Sequence, residues 1–105
     1  VSDAAAIDGT VLTVAAARAH LRVGSNVKDD DLVDLIAAAQ GRIESFLGRE
    51  LIGATGWETA EAVPALVRHS VKLALSDFYV NREAPQLTDD QLRPMIGGKM
   101  LVSVG

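Results

Sequence analysis

PALVRHSVKLALSDFYVNREA, residues 64–84, is the stretch on which the fold turns. Proline has a fixed φ and no N–H to leave unpaired, so Pro64 suits the first position of a helix. Beyond it, Val67, Val71, Ala74, Leu75 and Phe78 recur at spacings of three and four, which is one apolar stripe of a helix. A second row, Leu66, Leu73 and Val80, repeats every seven residues on a neighbouring face, and Ser70 and Asp77 occupy a narrower polar strip. A helix apolar over that much of its circumference needs cover on more than one side. The pattern predicts a central helix running from Pro64 to about Ala84, ended by Pro85.

Working outward, a second long helix is predicted from about Asp30 to Leu47. Leu32, Leu35, Ile36, Ala39, Ile43, Phe46 and Leu47 form its stripe, and Gly48 suits the left-handed residue that ends it. Ala37, Ala38 and Gly41 are small and would let another helix approach closely. Asp29, Asp30 and Asp31 lack the alternating oxygen ligands, central glycine and closing glutamate of a calcium loop. They read instead as caps facing the positive end of the helix dipole. Thr13 is predicted to cap a short helix to about Leu21, with Leu12 and Ala17 placed for a hydrophobic staple and Gly24-Ser25-Asn26 ending it. Thr88-Asp89-Asp90-Gln91 has the form of a capping box opening a second short helix, which Pro94 limits to one or two turns or kinks and Gly97-Gly98 stops. The stretch 49–63 has no stripe and reads as an irregular loop. The fold class is therefore all-α: a small bundle of two long and two short helices around a central helix in the C-terminal half. Residues 1–105 are read as a single domain, with a flexible arm at 1–10 and an extended tail at 99–105.

Composition narrows the function. The hydrophobic fraction is 49%, but much of it is alanine and only four residues are aromatic, so the core is thin and part of the apolar surface calls for another subunit. The net charge of −4 argues against a general nucleic-acid binder, and neither long helix carries the Arg/Lys cluster of a DNA-reading helix. The absence of cysteine excludes disulfides and thiolate metal sites. No apolar run is long enough for a membrane span, and no signal peptide is expected. His20 stands alone at helical spacing, and no phosphate-cradling glycine loop or nucleophile–base pair is present. No enzymatic activity, cofactor or metal is expected. Trp57, the single tryptophan, has two readings, a lid over the small core or an anchor in a subunit interface.

Three segments line up in order: VLTVAAARAHLRV (11–23), DDDLVDLIAAAQGRIESFLGREL (29–51) and VPALVRHSVKLALSDFYVNREA (63–84). Their Leu12, Thr13, Ala17, His20, Leu21 and Arg22, then Asp30, Asp31, Ala38, Ala39, Gly48 and Arg49 of a helix with an acidic start, then Pro64, Leu66, Ala74, Tyr79, Asn81, Arg82 and Glu83, carry a resemblance. The chain resembles the small head-tail connector, or adaptor, family of long-tailed bacteriophages and related gene transfer agents. That resemblance implies an α-helical virion structural protein made in the host bacterial cytoplasm and located at the virion neck. It implies a ring of copies of the chain that docks beneath the portal protein and contacts a stopper or tail completion protein. DNA would pass through the ring without sequence-specific binding, and a net acidic chain suits that passage. Trp57, Arg82 and Arg49 are the expected protein-interface residues. The alternative reading is a small cytoplasmic helical interaction or regulatory module of a bacterium.

Overall fold

A computed structural model of the chain describes residues 10–81 and 83–99. Among them are four α-helices: α1 (Val14–Leu21), α2 (Asp29–Leu47), α3 (Ala65–Val80) and α4 (Asp89–Ile96). Short 3-10 turns occupy Ala60–Ala62 and Gly97–Lys99. No strand occurs among the described residues; an isolated bridge joins Ile52 and Trp57. The protein is all-α, two long and two short helices, as its apolar periodicity predicts. The α2–α3 pair is the dominant packing; α1 lies against both long helices and α4 against α3.

One cluster of buried side chains joins every helix. α2 supplies Ile36, Ala39, Ile43, Phe46 and Leu47, and α3 supplies Val67, Val71, Ala74 and Leu75. Leu51 and Val63 close it from the loop, Leu12 and Ala17 from the first segment, and Leu92 and Ile96 from α4. Full burial of one such aliphatic side chain stabilises by about 1.5–3 kcal/mol, so the two long helices are held chiefly by these contacts. Phe78, placed by spacing in the same stripe, is only partly buried against the cluster, because it sits near the open C-terminal end of α3. Ser70 is fully buried and donates to the Leu66 carbonyl at 2.9 Å, which satisfies its hydroxyl inside the helix. The seven-residue row behaves differently from the main stripe. Leu66 and Val80 remain 55% and 73% exposed. Ala37, Ala38 and Gly41 are all exposed, and a Cβ built at Gly41 would meet nothing within 4 Å, so among the described residues no helix occupies the room they offer.

The helix ends show which local signals act. Thr13 Oγ1 accepts from the Ala16 N–H at 3.0 Å, the expected cap of α1. That helix closes on Arg22 rather than at Gly24: Arg22 takes the left-handed conformation (φ 58°), its N–H donates to the Ala19 carbonyl, and the Val23 N–H donates to the Arg18 carbonyl. Lys28 is the N-cap of α2 and gives no side-chain cap bond, so Asp29, Asp30 and Asp31 do not cap; they fill the first turn. There they face the positive end of the helix dipole, and Asp29 pairs with Arg18 at 2.5 Å. Arg18 also donates to the Gly24 and Val27 carbonyls, which ties α1, the turn and the start of α2 together. Replacing the three aspartates by alanine is expected to cost about 1–2 kcal/mol through the dipole and the Arg18 pair. Thermal melts with and without calcium check this: the loss should appear in both, and calcium should leave the melting temperature of the parent unchanged.

α3 starts one residue later than predicted, with Pro64 as its N-cap, and stops at Val80, short of Ala84. Thr88 and Gln91 form the reciprocal capping box of α4, and Pro94 is accommodated inside its two turns. Gly97 stays right-handed (φ −57°) and the chain tightens into the 3-10 turn, so the glycine pair does not stop the helix by a left-handed residue. Residues 1–9 of the predicted arm and residues 100–105 of the predicted tail lie outside the described residues.

Candidate functional site

Three features of the surface stand out once the helices are placed. The first is the turn that follows α3. The Asp77 carboxylate accepts from the Gln86 N–H at 2.9 and 3.0 Å, from the Leu87 N–H at 3.0 Å and from the Asn81 side-chain amide at 3.0 Å. This clamp holds Asn81, Gln86 and Leu87 against the end of α3 and explains why the helix stops early. Arg42 of α2 donates to the Leu87 carbonyl and pairs with Asp89 at 2.6 Å, fixing the start of α4. Partial burial pushes the Asp77 carboxyl up, but the two backbone N–H groups, the Asn81 amide and the Arg42 charge outweigh it and hold the pKa below its ordinary value. A lowered folded pKa contributes stability that is present above the unfolded value of about 3.9 and is lost as pH falls through the folded one. Acid unfolding followed by circular dichroism is therefore expected to show a loss of stability below about pH 4.5, part of which Asp77→Asn removes. Unchanged acid dependence in Asp77→Asn would contradict this assignment.

The second feature is a corner built from the loop after α2. Gly48 ends that helix in the left-handed conformation (φ 70°) and turns the chain outward. Arg49 then lies over the Trp57 ring, with its guanidinium carbon 4.4 Å from the ring centroid. The same side chain donates to the Thr55 carbonyl at 2.7 Å and to the Lys99 carbonyl at 3.2 Å, so it links the loop to the end of the described chain. Trp57 is partly buried against the core, its N–H donates to the Leu51 carbonyl at 2.8 Å, and its carbonyl accepts from the Gly53 N–H. Glu44 accepts from the Leu51 N–H at 3.0 Å and from Gln40, which anchors the loop to α2. Trp57 is thus both a partial lid on the core and an aromatic stacked with a cation. Two of the three residues expected at an interface, Arg49 and Trp57, are brought together here. Arg82 lies outside the described residues.

The third feature is the exposed row of Leu66 and Val80, with half-buried Leu73 between them; none of the three belongs to the core cluster or packs on it. Near its end, Tyr79, Val80, Asn81, Glu83, Ala84 and Gln86 line a shallow open groove. Sequence reasoning missed the Asp77 clamp and the Arg18 and Arg42 ties. Asp77 and Asn81 at i and i+4 were a readable local signal; partners 11 residues (Arg18–Asp29) or 47 residues (Arg42–Asp89) away in sequence were not.

Among the described residues no group of acidic or histidine side chains is arranged to hold a metal, and every buried side-chain polar atom has a partner. His20 is bonded to Ser76 at 2.8 Å rather than to a ligand set. What these features offer chemically is contact: an aromatic–cation corner, an apolar strip and a clamped turn. A family model described as "Phage gp6-like head-tail connector protein" matches residues 11–96. The chain belongs to that family. The match starts at Val11, the first core residue among the described ones, and ends at Ile96, the last residue of α4, so it spans all four helices. It extends the resemblance carried by residues 11–84 through the capping box and α4. The family is structural and non-enzymatic, and its role is at the head-tail junction of the phage particle. Searches of curated proteins and of solved structures returned no match.

Proposed function

We propose that the chain is a ring-forming adaptor that docks beneath the portal protein and joins the DNA-filled head to the stopper or tail completion protein. The observation that carries this reading is the family match across every helix of the fold. The ring would sit in the virion neck, and DNA would pass through it without sequence-specific contact. A net charge of −4 supports passage, because a strongly basic lumen would retain the duplex. Trp57, Arg49 and Arg82 are assigned to the protein interface. Trp and Arg are enriched at binding hot spots, and the stacked pair presents both in one rigid unit. Isolated chains would associate weakly, with the portal acting as template and supplying the missing affinity.

Complementation of a knockout tests this, with electron microscopy of the purified particles to locate the chain in the neck. Trp57→Ala and Arg82→Ala are expected to reduce head-tail joining, read as the yield of tailed, DNA-containing particles, by more than they reduce the melting temperature of the isolated chain. Full titres from both variants would overturn the interface assignment. Absence of the chain from the neck would overturn the adaptor reading itself.

A further inference from the structure

We infer that the outer face of α3 in one copy packs on the outer face of α2 in the next, so that these two helices form the subunit contact of the ring. The inference rests on the adaptor reading and names the surfaces it needs. Leu66, Leu73 and Val80 lie seven residues apart, which keeps them nearly in line along α3. Their row lies off the core: Leu66 and Val80 are exposed, and Leu73 is half-buried without packing on the cluster. On α2 the exposed Ala37, Ala38 and Gly41 make a flat strip on the side away from its buried stripe. The free space at the Gly41 Cα shows that a neighbour's side chain can come close there. A protruding apolar row and a flat small-residue strip on different faces of one chain are complementary in shape, and contact between unlike patches is what a closed ring requires.

Charge selects both the occupant and the direction. The first part of α2 carries Asp29, Asp30, Asp31 and Asp34 and no basic residue before Arg42. The first part of α3 carries Arg68, His69 and Lys72 and no acidic residue before Asp77. Among the described residues, Asp30, Asp31 and Asp34 form no ion pair within the chain, nor do His69 and Lys72. His69 is exposed and stands between Leu66 and Leu73; Asp34 is exposed one turn before Ala38. A parallel crossing that seats Leu73 over Ala38 and Gly41 also brings the acidic start of α2 beside the basic first half of α3. The second copy of this chain is therefore the occupant whose charges match.

The chain has no cysteine, which makes thiol crosslinking a clean test. Two full-length variants, Leu73→Cys and Gly41→Cys, are supplied together to a knockout, and the tailed particles are purified and treated with a short thiol-to-thiol crosslinker. Neither variant can link to itself within one chain. The expected result is a crosslinked dimer containing one copy of each, lost when Gly41→Cys is replaced by Ala15→Cys on the exposed side of α1. A dimer of two Leu73→Cys copies, or a product joining Leu73→Cys to another virion protein, overturns the inference. So does the absence of any 41–73 product in particles whose neck contains the chain, an outcome that leaves the adaptor reading standing. Particles that lack the chain at the neck overturn both.

Discussion

Leu75→Ala is expected to lower the unfolding free energy by about 2–5 kcal/mol, the range for emptying a fully buried leucine site. Leu75 has no exposed surface, and it lies in the same cluster as Ile43, Leu47 and Val71, where the two long helices meet. A small domain has only about 5–15 kcal/mol of net stability, so this one substitution removes a large fraction of it. The neighbouring face supplies the control. Leu66, on the same helix and 55% exposed, should cost less than about 0.5 kcal/mol when cut to alanine, as should exposed His69. Phe78→Ala should fall between the two, since its ring is only partly buried. Urea unfolding of the four variants, followed by circular dichroism, gives the ranking. A loss at Leu66 equal to that at Leu75 would mean that the seven-residue row, not the three-and-four stripe, holds the isolated chain together.

Gly56→Ala should be the most damaging single-atom change outside the helices. A Cβ at this position would collide with the Glu50 carbonyl oxygen and stand 2.6 Å from the backbone carbonyl of Leu51. Those are main-chain atoms that cannot rotate away. The loop must open or its ends must part, at a cost of about 1–3 kcal/mol by analogy with overpacked cores. Opening breaks the Trp57 N–H bond to Leu51 and removes Trp57 from beneath Arg49. As Trp57 is the only tryptophan, its fluorescence should shift to the red in the folded variant as the ring gains water. Gly41→Ala is expected to act in the opposite sense. Its Cβ meets nothing, it lies on an exposed helical turn, and it should stabilise the isolated chain by about 0.5–1 kcal/mol. Equal effects at the two glycines would show that the close approach at residue 56 is not a constraint.

The contrast between these glycines separates what the amino-acid order determined from what the folded chain decided. Periodicity alone determined that the protein is helical, which faces of α2 and α3 are apolar, and that Thr13, Gly48 and the Thr88–Gln91 box mark helix ends. Those features are set by neighbours three or four residues away, where helix geometry fixes the distances. The ordered motifs of residues 11–84 also carried the family. Tertiary structure decided what distant partners control. α3 ends at Val80 because Asp77 captures the Gln86 and Leu87 N–H groups, a contact absent from any helical template. α1 ends on Arg22, and Asp29 pairs rather than caps, because Arg18 reaches across the turn to α2. Both Gly41 and Gly56 read as glycine in the sequence. Only the packed chain shows that a side chain would meet open space at one and the Glu50 main-chain carbonyl at the other. Likewise, sequence spacing marked the Leu66–Leu73–Val80 row as apolar, but exposure is a property of the assembled helices: α1, α2 and α4 pack against α3, yet Leu66 and Val80 stay exposed and Leu73 half-buried.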